Sequence, residues 1–159
     1  MIHMDTSNFK KIEYIARKAR KSISKFCYEE CKSYCCRKGY LILNSSNVDL
    51  VAGEKRRKLE EKKLLLKISD SNYSLNLGKD SNCPSLKDYK CIIHRNPKRP
   101  LACKNFPLFI EGNKIKLSPR CLAVKQGLFY PFVSKLLKLG YRLSETNPFS
   151  EFDTEICLN

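Results

Sequence analysis

The sequence predicts a small single domain of the α+β class. Three observations carry that reading. Apolar residues recur at helical spacing near the N-terminus and again near residue 135. Short β-type runs separated by turn residues fill the middle of the chain. The length, 159 residues with 42% hydrophobic, suits one domain with a modest core. No apolar run approaches the roughly 20 residues of a membrane-spanning helix, so no membrane insertion is expected.

The elements follow in order. Residues 6–26 read as an amphipathic helix, with Phe9, Ile12, Ile15, Ala16, Ala19, Ile23 and Phe26 on one face and Thr6 or Ser7 as its cap. Its other face carries Lys10, Lys11, Arg17, Lys18, Arg20, Lys21 and Lys25, a solvated face or a contact for nucleic acid. RKGYLIL is of strand type. Ser46 followed by Asp49 resembles a capping box and predicts a charged helix over 46–62, with Glu54 and Lys58 as a favourable i,i+4 pair. LLLKIS (64–69) and YSLNL (73–77) read as strands around Asp70-Ser71-Asn72. LFIEGNKIKLS reads as a hairpin with Glu111-Gly112-Asn113 in its turn. The last helix has Pro131 in its first turn, a stripe of Phe132, Val133, Leu136, Leu137 and Leu139, and Gly140 as its stop. Residues from about 142 onward read as loosely held.

The chain holds nine cysteines, four of them within CYEECKSYCC. The N-terminus MIHMDTSNFKKIEYIARKARKS is charged throughout and has no continuous apolar core, so it does not read as a secretory signal. The expected compartment is the reducing cytoplasm, where structural disulfides are rare. The odd count argues against disulfides too. Metal ligation is the leading reading, because thiolates suit zinc and iron–sulfur clusters. The candidate ligands are Cys27, Cys31, Cys35, Cys36, Cys83, Cys91, Cys103 and Cys121; Cys157, alone near the end, is not expected to ligate. Eight thiolates can serve two tetrahedral sites, one zinc and one cluster, or one cluster with spare thiols. Cys35 and Cys36 are awkward as equivalent ligands, since neighbouring side chains point apart in a strand and about 100° apart on a helix. On this reading residues 1–25 form a basic helix, 26–127 a cysteine-cluster domain organised by the metal centre, and 128–159 a helix and tail packed on it.

Taken in order, CYEECKSYCC, then CPSL at 83–86, then CIIHRNPKRPLACKNFP at 91–107 and finally Cys121 after Ser-Pro-Arg resemble the YkgJ-type cysteine-cluster family, a zinc- or iron-chelating domain that also occurs in flagellin lysine N-methylases. The resemblance covers about residues 26–125. Here the first gaps are of three residues rather than two, His94 stands near the usual Tyr, and Lys104 replaces the usual Arg. It implies a bound zinc or iron–sulfur cluster (4Fe-4S if iron) and a link to redox or methyl-transfer chemistry.

Net charge is +15. Eight thiolates around two zinc ions would lower it only to about +11. A basic balance fits RNA, DNA or an acidic partner, and it also fits a lysine-rich composition. KRRK at 55–58 suits phosphate or simply a solvated face. His94, three residues after Cys91, is a ligand candidate or a donor behind the ligands; Arg99, beside Pro100, is placed to steady thiolate charge. Lys104 and Arg120 adjoin cysteines in the same way. No phosphate-binding glycine loop, HExxH or Ser/His/Asp set is present, and neither Asp88 nor Glu111 is marked as a general acid or base, so no catalytic residue is assigned. The alternative function is a zinc-stapled basic module that binds RNA or DNA.

Overall fold

The structure is a computed structural model, described over residues 6–78 and 81–144. In chain order it contains α1 (Thr6–Ser22), α2 (Ser24–Glu29), β1 (Gly39–Asn44), α3 (Val48–Ala52), α4 (Arg56–Glu61), β2 (Leu65–Lys67), β3 (Asn72–Leu77), β4 (Leu86–Lys87), β5 (Lys90–Cys91), α5 (Leu101–Asn105), β6 (Leu108–Glu111), β7 (Lys114–Leu117), α6 (Leu122–Lys125), α7 (Tyr130–Lys138) and β8 (Arg142–Leu143). Short strands and short helices mix, as an α+β class requires. Among the described residues no helix is long and apolar enough to cross a membrane. The contacts divide the chain into two compact units: one spans 31–104, and the other is built from the segments on either side of it, up to residue 30 and from residue 105.

Unit 31–104 is organised by an antiparallel sheet in the order β1-β3-β2. Leu41 pairs with Leu75 and Leu65 with the same Leu75, so one face carries apolar side chains across all three strands. Leu43, Leu75, Val48 and Val51 are almost wholly buried there. The single charged helix expected over 46–62 is instead two. Gly53, at φ 53° and ψ −139°, breaks it, in a conformation that only glycine adopts freely. Nor does Ser46 cap the first piece. The Asn44 Oδ1 accepts from the Ser46 amide at 3.1 Å, the Ser46 hydroxyl at 2.6 Å and the Asn47 amide at 3.0 Å, an Asx turn that starts the helix from outside. On the second piece the ion pairs that form are Arg56–Glu60 and Arg57–Glu61, both i,i+4, with Arg56 also reaching Asp49.

The other unit packs α1 against α7 and β6 over a core of Ile12, Ala16, Ala19, Leu108, Ile115, Phe129 and Leu136. The β6–β7 hairpin closes between Glu111 and Lys114, with Gly112 at φ 58° in the turn, and β8 adds to β7 in parallel. Pro131 sits in the first turn of α7, and Gly140, at φ 92°, ends it, as the sequence predicts. The helix expected over 6–26 breaks at Ile23. There the Ser22 hydroxyl donates to the Ala19 carbonyl at 2.7 Å, a side-chain bond that competes with the helical ladder. Phe9 and Leu137 lie outside their predicted apolar stripes, 56% and 44% exposed.

Arg20 corrects the sequence reading more sharply. It belongs to the basic face by spacing, yet its side chain is only 14% exposed. Its Nε donates to the Asn105 and Leu108 carbonyls, both at 3.1 Å, and its Nη2 donates to Leu108 at 2.8 Å. Burial lowers its pKa, while Glu13 opposes that fall. The guanidinium therefore clamps α1 to the segment that enters β6. Arg20→Ala should destabilise the protein by about 2 kcal/mol, the order expected for lost charge-assisted hydrogen bonds. Lys18→Ala, on the exposed face, should change stability by less than about 0.5 kcal/mol in the same urea titration.

Candidate metal centre

Three separate stretches of unit 31–104 bring cysteines together. The first is the 3₁₀ turn Tyr34–Cys36, entered through Lys32 and Ser33, both in the left-handed region at φ 52° and 51°. The second runs from Cys83 through the β4–β5 hairpin. Lys87 pairs with Lys90 there, so Asp88 and Tyr89, at φ 49° and 61°, form a tight two-residue turn that presents Cys91 opposite Leu86. The third is α5, where the Cys103 amide bonds the Pro100 carbonyl at 3.0 Å. Backbone contacts tie the first two stretches: the Cys83 amide donates to the Cys36 carbonyl at 2.7 Å, and the Ser33 hydroxyl donates to the Tyr89 carbonyl at 2.5 Å.

Cys35, Cys83, Cys91 and Cys103 are among the groups that hold the thiols of Cys36, Cys83 and Cys103 from ionising, so the five lie near one another. A hydrogen bond with Cys35, then burial, then the charges of Cys35, Cys83 and Cys103 push the Cys36 thiol far up. Burial is the largest cause for Cys83, which reaches about 11, with Cys91 and Cys35 adding to it. The backbone amides of Ser85 and Leu86 act the other way and favour the Cys83 thiolate. Cys103 is raised to about 12 by burial first, then by Cys83; the Arg99 guanidinium partly offsets this. The expected divergence of Cys35 and Cys36 does not occur, because the tight 3₁₀ turn lets the adjacent thiols hydrogen-bond.

The remaining candidates are placed differently. Cys31 lies in the same unit, half-buried, but is not among the groups that raise these thiols. Cys27 and Cys121 belong to the other unit, where Cys121 is buried in the core and Cys27 packs against it. None of the eight is in a disulfide. Cys157 lies outside the described residues. Among the described residues, no three or more His, Cys, Asp or Glu side chains are arranged as a group that could hold a metal ion.

His94 is exposed and faces Arg99, whose Nη1 approaches the His94 Nδ1 at 2.7 Å. Burial, Arg99 and Arg95 lower its pKa, so the ring is neutral near pH 7, with Nδ1 as acceptor. Lys104 turns its ammonium to the Pro97 carbonyl. Sequence reasoning missed Ser85. It is 2% exposed, and its hydroxyl donates to the Val51 carbonyl at 2.7 Å, anchoring the loop after Cys83 to α3. A small hydroxyl residue between Pro84 and Leu86 was the only signal for it.

The chemistry of this donor set fits a thiophilic ion. Five half-buried sulfurs, three of which (Cys36, Cys83 and Cys103) are held from ionising by burial and by neighbouring thiols, are a set that a cation would relieve, although they are not preformed into a cage. No family model matches the chain, and no curated protein or solved structure is significantly similar to it.

Two outcomes follow from this geometry. Ser85→Ala should cost about 2 kcal/mol in urea unfolding, because it removes a buried donor and loosens the Cys83 loop. In metal-free folded protein at neutral pH, Cys83 and Cys103 should alkylate slowly, since their raised pKa values keep them protonated, and unfolding in denaturant should accelerate both. Mass spectrometry of the modified peptides reads the difference.

Proposed function

We propose that unit 31–104 is a metal-binding domain that holds zinc or an iron–sulfur cluster (4Fe-4S) on thiolates drawn from Cys35, Cys36, Cys83, Cys91 and Cys103. The observation that carries this reading is the gathering of five cysteines from three distant stretches of chain, close enough for Cys35, Cys83, Cys91 and Cys103 to act on the thiols of Cys36, Cys83 and Cys103. Scattered core thiols have no reason to gather so. The resemblance to the YkgJ-type family supports the same reading and adds Cys27, Cys31 and Cys121 as candidates. Within the set, the amides of Ser85 and Leu86 stabilise charge at Cys83, and Arg99 does so at Cys103. The His94 Nδ1 accepts from Arg99 and holds that guanidinium in place behind the ligands. Zinc here would be structural, whereas an iron–sulfur cluster would supply electron transfer or support methyl transfer. Its partner would be a protein or a small-molecule substrate.

Metal analysis of protein purified without oxygen tests the proposal. Zinc in a colourless protein, or iron with sulfide in a brown one, is the expected outcome. Single Cys→Ser changes at Cys35, Cys83, Cys91 and Cys103 should each lower bound metal, and full retention in most of them would defeat the assignment. Cys157→Ala should leave metal content unchanged.

A second reading has its own observation. Tyr34 and Tyr89 are 39% and 45% exposed, and cations lie over their rings: Lys38 5.0 Å from Tyr34, Lys32 5.6 Å from Tyr89, and Arg37 within 6 Å of both. Basic side chains interleaved with exposed aromatic rings suit single-stranded RNA or DNA. If this patch binds an oligonucleotide, affinity should fall steeply with salt, and Tyr34→Ala should weaken it by about 1–3 kcal/mol in a fluorescence anisotropy titration. Lys18→Glu and Lys21→Glu test the α1 face separately; Arg20 is unsuitable because it is structural.

A further inference from the structure

Beyond the thiols, unit 31–104 contains a cavity of about 450 Å³. Asn44, Asn47, Asn72, Lys98, Arg99 and Lys104 line it, and no Asp or Glu does. Two polar atoms of this wall are buried without a hydrogen-bond partner: the Arg99 Nε and the Asn47 Oδ1. Such orphans are uncommon, and each costs about 1–3 kcal/mol when left unpaired.

The orientation of Arg99 says what would satisfy them. Its Nη1 is taken by His94. The Nε–Nη2 edge makes no hydrogen bond among the described residues. That edge is the flat fork that pairs with two oxygens of a carboxylate or phosphate. Lys98 and Lys104 add positive charge, and the absence of acidic lining leaves it uncompensated at the wall. The Asn47 Oδ1 calls for a donor on the same ligand. Apolar Ile42 and Leu101 complete the lining, leaving room for a small organic body.

We propose that this cavity binds a small molecule with one oxyanion head, carboxylate or phosphate, and a hydrogen-bond donor. The head docks on the Nε–Nη2 edge of Arg99, and the donor meets Asn47. Arg99 also lowers the Cys103 pKa, so an anion on Arg99 would weaken the positive field at that thiol. Binding itself does not depend on a metal.

The test titrates inorganic phosphate and, separately, acetate into the ¹⁵N-labelled full chain at constant ionic strength. It follows the Arg99 side-chain Nε–H and the backbone amides of Asn47 and Leu101. Saturable shifts with phosphate alone point to a phosphate ligand, and with acetate alone to a carboxylate; either supports the site. Asn47→Asp, which places a carboxylate in the wall, should weaken binding at least about tenfold while keeping the melting temperature and metal content. Arg99→Lys, followed by the backbone amides, should weaken anion binding as well. Two results overturn the proposal: no saturable shift with either anion, or equal affinity in the folded Asn47→Asp variant. Shifts that chloride reproduces overturn it as well, since they report only charge screening. Loss of metal binding in the Cys→Ser variants leaves this outcome untouched, so the two readings fail separately.

Discussion

The gathering of half-buried thiols is the constraint on which unit 31–104 turns. Its cysteines are half-buried and close enough for the ionisation of one to oppose that of the next. Water does not screen them fully, and the Arg99 guanidinium favours ionisation at Cys103. Backbone contacts and tight turns hold the thiols together. The Cys83–Cys36 backbone bond joins the first two stretches, the Asp88-Tyr89 turn fixes Cys91, and Pro100 starts the helix that carries Cys103. Left-handed conformations at Lys32, Ser33, Asp88 and Tyr89 each cost on the order of 1 kcal/mol. An ion bound as proposed above would displace the thiol protons and contribute directly to folding.

Much of the fold was legible because local chemistry decides it. The Asp70-Ser71-Asn72 turn, the Gly112 hairpin, and Pro131 and Gly140 around the last helix are signals that act over a few residues. What escaped the sequence reading depends on tertiary context. Periodicity cannot tell that Arg20 points at two carbonyls more than eighty residues away, so a basic face included a structural clamp. A capping pattern at Ser46 lost to Asn44, whose side chain reaches three donors at once. The breaks at Ile23 and Gly53 are single-residue events inside otherwise helical patterns.

The candidate site was legible in kind and only partly in arrangement. Clustered cysteines point to thiolate chemistry from composition alone. Spacing does not say which thiols meet, because α3, α4 and a three-stranded sheet lie between Cys36 and Cys83. It grouped Cys27 with the cysteines that follow it in sequence; Cys27 packs against the core cluster that also holds Cys121. Adjacency suggested that Cys35 and Cys36 diverge, and a tight turn brings them together. The cavity beside Arg99 had no sequence signature, since its walls come from β1, the loop before α3, β3 and the segment around Pro100.

The division of the chain has a temporal consequence. Residues 31–104 of one unit are interposed in sequence between the two segments, up to residue 30 and from residue 105, that build the other. During synthesis the inserted unit has all its strands once residue 104 has emerged, and its thiols can then gather. The host must wait, because α1 has neither β6 nor α7 to pack against until residues 105–138 follow. Until then the apolar stripe of Ile12, Ala16 and Ala19 is a nascent surface without its final neighbours. The order of translation therefore assembles the inserted unit before its host is complete.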